Sequence, residues 1–126
     1  MKNTKSNIEE LKTVVAKASF VRCSPRKLRL VANAVRGMDP VKVIDYLSVT
    51  SKRAATPLLL VFKQAVANAK NNFQLSPAGL KVVSLMVEEG PRGPKRMDKS
   101  HGARFDRGIK RRRMAHITLK LVSKEK

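Results

Sequence analysis

Cysteine, tryptophan, histidine and acidic residues are what this chain has least of. One cysteine, Cys23, stands among 126 residues. That excludes an internal disulfide framework and suits a reducing cytosol. The only two histidines are His101 and His116. A small basic ribonuclease needs a histidine pair, or a histidine with a carboxylate, and His116 reads as a structural strand residue. Glu88 and Glu89 fall on successive strand positions and point to opposite faces, a poor acid–base pair. There is no HExxH helix, phosphate-binding P-loop or dinucleotide fingerprint. The expectation is a protein that is not an enzyme and takes no cofactor or metal. The longest apolar run, Leu58 to Phe62, is too short for a bilayer, and the first residues lack the apolar segment of a signal peptide. A soluble cytoplasmic protein without a membrane partner is expected. Tryptophan is absent and aromatics make up 4% of the chain. Phe20, Phe62 and Tyr46 are assigned to the core, which argues against a platform that stacks single-stranded bases.

Positive charge is what the chain has in excess. Twenty-eight Lys/Arg against nine Asp/Glu give +19 and a pI near 11.1. Such a chain repels itself, and a large anion relieves the repulsion. The charge peaks between Pro91 and Arg113, where ten Lys/Arg face two Asp, a net +8. Apolar, strand-like segments flank this stretch, Leu80 to Val87 and His116 to Val122. A long loop inside a small domain is uncommon and usually functional or disordered. Closed by two strands, this one reads as a cationic arm suited to insertion into nucleic acid. Gly90, Gly93, Gly102 and Gly108 permit close approach of backbone to a partner, and Pro91 and Pro94 stiffen the ascending limb. With about a dozen residues per limb at ~3.3 Å each, the arm reaches roughly 40 Å.

The remainder reads as one domain. Lys12 to Val21 alternates as a half-buried strand, with Val14, Ala16, Ala18 and Phe20 on one side. Ser24-Pro25 is a helix start with Ser24 as N-cap, and Gly37 ends that helix. Leu28, Val31, Ala32 and Val35 share one helix face, and Arg26, Arg29, Asn33 and Arg36 the opposite one. Asp39-Pro40 starts a second, short helix with Val43, Ile44 and Leu47 inward. A third helix is expected from a cap at Ser51 to about Asn72, with Pro57 in its second turn removing a hydrogen bond. Its apolar face carries Leu58, Leu59, Val61, Phe62, Ala65, Val66 and Ala69. The predicted class is α+β: a small, mainly antiparallel sheet packed on three helices, with a long extended β-hairpin arm. Residues 1–126 form one domain, with body 12–89 and 114–123, arm 90–113 and polar termini.

Besides the arm, Arg22 to Arg29 crowds cations at a helix N-terminus, where the dipole disfavours them. Phosphate occupying the site would make that arrangement sensible. Scarce aromatics point to phosphate and shape contacts. The rival within nucleic-acid binding is an architectural DNA-binding protein with a basic β-ribbon arm, for which Met97 and Phe105 are poorly placed wedges. A ribonuclease and a membrane-surface module are more distant rivals.

Four stretches, Val21 to Gly37, Ala65 to Asn72, Val87 to Pro91 and His116 to Val122, resemble in order and spacing the large-subunit ribosomal protein L-twenty-two family, bacterial type. The resemblance covers about residues 12–123. It implies a structural constituent of the large ribosomal subunit, in the cytoplasm, that binds large-subunit ribosomal RNA and bridges its domains during assembly. It also implies neighbouring large-subunit ribosomal proteins and transient contact with the nascent polypeptide. RNA contacts are implied for Arg22, Ser24, Arg26, Lys27 and Arg29, and along the arm for Arg92, Lys99, Arg104, Arg107, Lys110, Arg111, Arg112 and Arg113. Pro94, Lys95, Arg96 and Met97 are expected at the hairpin tip lining the polypeptide exit tunnel. The run Met97 to Arg104 departs from the family pattern: a proline is missing, Asp98 and His101 are unusual, and the loop is a few residues longer. Met114-Ala115 stands where the family usually has Thr-Ser.

Overall fold

The computed structural model describes residues 13–98 and 108–123. The chain runs β1 (Thr13–Val21), α1 (Pro25–Val35), α2 (Pro40–Val49), α3 (Ala55–Phe73), a 3-10 turn at Pro77–Gly79, β2 (Leu80–Arg92), β3 (Arg96–Met97), β4 (Ile109–Lys110) and β5 (Arg113–Ser123). The main sheet is antiparallel, in the order β1-β5-β2. The α+β architecture is as the sequence predicts.

β5 is central because it alternates cleanly. Ala115, Ile117, Leu119 and Leu121 are buried, whereas His116 and Thr118 are only partly covered and Lys120 is exposed. A strand period of two places the first set on the helix side of the sheet. On β1 the same side holds Val14 and Ala16. On β2 the buried residues are Leu80 and Leu85, an odd spacing that simple alternation forbids. A register shift between Val82 and Ser84 supplies the extra residue and returns Leu85 to the inner face. Against that face lie Leu28, Val31 and Val35 of α1, Val43 and Leu47 of α2, and Leu58, Phe62 and Ala65 of α3.

Helix termini follow the sequence signals in part. Gly37 takes φ +89, the left-handed turn that ends α1. Ser24 holds the N-cap position of α1 in extended backbone, but its hydroxyl makes no capping bond. α3 starts at Ala55 with Ala54 as N-cap, so Ser51 is not its cap. Pro57 therefore sits in the first turn, where a missing N–H costs no helical bond. α3 closes one residue later than expected, with Gln74 left-handed at φ 53 and the Leu75 N–H donating to the Ala69 carbonyl.

Two aromatics assigned to the core are not in it. Phe62 is wholly buried, but Tyr46 is 46% and Phe20 61% exposed. Tyr46 lies off the α2 stripe defined by Val43 and Leu47. Phe20 is turned out by a bulge. Between the pairs Ala18↔Ile117 and Val21↔Ala115, β1 has one residue more than β5. Phe20 absorbs the excess at φ 57, a left-handed conformation that costs a residue with a Cβ roughly 1–2 kcal/mol. Val21 instead packs against the core.

Candidate nucleic-acid interface

The bulge ends β1, and only Arg22, Cys23 and Ser24 separate it from α1. That short connection sets the cations of α1 beside the root of the arm. Arg22 lines a depression of about 630 Å³ together with Arg96, Lys110, Arg111 and Arg112. On the other side, Ser24, Pro25 and Arg26 share a small depression with Arg92 and Arg113, and with Glu89, whose carboxylate pairs with Arg29. The two cationic segments, distant in sequence, thus form one surface. No acidic residue stands in the first turn of α1. Among the described residues, none of Arg22, Arg26, Lys27, Arg92, Arg111, Arg112 or Arg113 pairs with a carboxylate; the ion pairs are Arg29–Glu89, Lys42–Asp39 and Lys110–Asp98. Crowded cations next to a helix N-terminus are chemically suited to phosphate.

A third depression, about 410 Å³, lies between the start of α1 and the loop before α3. Arg22 and Lys27 line it with Lys52 and Arg53, over an apolar wall of Leu30 and Val31. Lys52 and Arg53 are absent from the sequence-derived set. Their signal was two adjacent cations directly before an apolar helix.

The arginine stripe of α1 behaves differently from expectation. Its face does not simply point to solvent. The Arg29 Nε–H donates to the Val87 carbonyl at 3.1 Å, and Arg36 Nη2 to the Leu85 carbonyl at 3.3 Å. Arg29 Nη1 also lies 3.7 Å from Glu89 Oε1. Leu85 and Val87 are two apart on β2, so their carbonyls face the same way, away from β5. Two arginines seven residues apart thereby cover the open edge of the sheet. Arg29 remains part-exposed, but it also holds α1 on β2.

The arm continues as a ladder. The Gly93 N–H bonds to the Arg112 carbonyl at 2.8 Å. Arg96 pairs with Lys110 and Met97 with Ile109. The Asp98 N–H donates to the Gly108 carbonyl at 2.7 Å, and Lys110 Nζ lies 3.2 Å from Asp98 Oδ1. Pairing therefore passes beyond Met97 to the Asp98–Gly108 hydrogen bond, and Arg96 and Met97 stand in a paired segment of the arm. Lys99, Arg104 and Arg107, with His101, Gly102 and Phe105, lie outside the described residues. Gly90 does approach a backbone closely, but that of β5: a Cβ there would lie 3.1 Å from the Met114 carbonyl carbon and oxygen.

Among the described residues no group of His, Cys, Asp and Glu could hold a metal ion, and no helix is long and apolar enough to cross a membrane. His116 accepts the Phe20 N–H at Nδ1 over 3.1 Å, a structural bond.

Known proteins resemble this chain over most of its length. The family model for ribosomal protein L22p/L17e matches residues 16–122. A Petrotoga mobilis protein named large ribosomal subunit protein uL22 is 37% identical over 98% of this chain and 81% of its own length. Its namesake in Fervidobacterium nodosum is 42% identical over 88% and 74%. That of Fusobacterium nucleatum is 43% identical over 79% and 87%.

Proposed function

Since this chain belongs to the ribosomal protein L22p/L17e family, whose members are structural and not enzymatic, we propose that it is a structural constituent of the large ribosomal subunit in the cytoplasm, holding large-subunit ribosomal RNA through phosphate contacts. The observation that carries this reading is the joining of two basic segments, Arg22 to Lys27 and the arm root at Arg92 and Arg111 to Arg113, into one surface whose lining carboxylate, Glu89, pairs with Arg29 and leaves a large excess of cations. Compensating so many cations takes a polyanion with closely spaced charges. The body presents one wall of that surface and the limbs of the arm extend it, so RNA segments far apart in sequence can be held together during assembly. The arm, taken as residues 90–113, lies between RNA domains, with neighbouring ribosomal proteins against the body. Its far end faces the polypeptide exit tunnel and touches the nascent chain in passing.

Phosphate contacts make a quantitative demand. Each phosphate neutralised contributes roughly −0.7 to −0.9 to the slope of log affinity against log salt. Titration of the purified chain with large-subunit ribosomal RNA at several salt concentrations should give a steep slope, and a nearly flat one would rule the reading out. In a lysate, the chain should sediment with large subunits through a high-salt wash. Sedimentation with chromosomal DNA would favour the architectural DNA-binding alternative.

A further inference from the structure

We propose that Phe20 and His116 form a stacking site for a single unpaired nucleobase, on the sheet face opposite the helices. The inference rests on the RNA-binding reading above and adds a base contact to its phosphate contacts. Phe20 is the aromatic that sequence alternation assigns to the core. Instead, the β1 bulge holds it left-handed at φ 57 with 61% of its surface exposed. An unfavourable backbone that exposes an apolar ring serves no packing purpose, and conformations of this kind gather at functional sites.

The ring is also held in place. Its own N–H donates to His116 Nδ1 at 3.1 Å. The two rings meet edge to face, with centroids 5.0 Å apart and planes at 84°. A ring fixed from below and open above needs little ordering when a base settles on it.

The surrounding charge selects a nucleic-acid occupant. Lys17 and Lys120 lie on the outer side of β1 and β5, out of phase with the buried residues of each strand. Lys17 pairs with Thr118, two residues from His116. Arg22, two residues beyond Phe20, lines the depression at the arm root. Glu88, opposite His116 on β2, is the one carboxylate in this row. A nucleotide whose phosphates run along the Arg22 surface can therefore place its base on Phe20, in the mode of aromatic stacking by single-stranded RNA.

The test separates stacking from structure. Glycine adopts φ 57 without a Cβ penalty, so Phe20→Gly should melt close to the parent chain. Its affinity for purified bacterial large-subunit ribosomal RNA should fall roughly tenfold, the usual order for one lost stack. The parent chain has no tryptophan, so Phe20→Trp supplies a single reporter that keeps an aromatic ring. Its fluorescence should be quenched when that RNA binds, at near-parent affinity. Unchanged RNA affinity in Phe20→Gly, or an unquenched Trp in the bound complex, would overturn the site. Loss of incorporation into subunits with RNA affinity intact would likewise overturn it and assign the ring to a protein neighbour. If the parent chain itself showed no salt-sensitive RNA binding, the broader reading would fall, and this site with it.

Discussion

The body and the arm are built on opposite principles. The body buries an aliphatic core with Phe62 at its centre. Among the described residues from Glu88 to Arg113, none is buried. Among the described residues the limbs are joined by backbone hydrogen bonds and by the exposed Lys110–Asp98 ion pair, and exposed pairs contribute about 0–1 kcal/mol. An isolated two-stranded ribbon is marginally stable in water. The difference teaches that order and charge are divided along the chain: the body buries its own core, whereas the arm carries an excess of positive charge and no buried residue among those described.

The sharpest way to break the comparison is at the centre of the body. Phe62→Ala removes a ring with no exposed surface and leaves a cavity, and such changes cost about 3–5 kcal/mol. Urea unfolding of the free chain should show a loss of that size, enough to unfold many small domains. A loss below about 1 kcal/mol would mean that the core is not the seat of stability.

A smaller effect is expected where body and arm meet. At Gly90, an added Cβ would press on the Met114 carbonyl at 3.1 Å and the Ala115 nitrogen at 3.3 Å. These are backbone atoms of the neighbouring strand and cannot swing aside. Gly90→Ala should destabilise by roughly 1–3 kcal/mol, the usual range for overpacking. Loss of amide protection in hydrogen exchange should concentrate at the β2–β5 root. Unchanged protection there would show that the strands separate freely and that the arm begins nearer the body than the ladder implies.

What the sequence made legible divides along the same line. The helices were legible because apolar residues recur at helical spacing and because Ser24-Pro25, Gly37 and Asp39-Pro40 punctuate them. β5 was legible from six residues of strict alternation. Positions fixed by one strand's register against another were not. Phe20 continued the alternation of Val14, Ala16 and Ala18, and only pairing with β5 shows that β1 has one residue too many. The same holds for Arg96 and Met97, whose pairing depends on Lys110 and Ile109 about a dozen residues away. The surface itself was half legible. Its cations were countable, but the joining of Arg22 with the arm root is tertiary, as is the attachment of Arg29 and Arg36 to the edge of β2.

The smallest effect on stability should come from the largest change in sequence. Deleting residues 92–107 removes six Lys/Arg and no buried residue among those described. The β1-β5-β2 ladder from Leu80↔Ser123 to Glu89↔Ala115 remains, and lower self-repulsion at reduced net charge offsets the lost pairing. The unfolding free energy of the free chain should therefore change by no more than about 1 kcal/mol, within the scatter of surface changes. RNA binding should respond in the opposite sense. If several of the six cations touch phosphate, the log–log salt slope should become shallower by roughly 0.7–0.9 for each phosphate no longer neutralised. A deletion that unfolded the body would show that the arm belongs to the core, and one that left the slope unaltered would confine phosphate binding to the body.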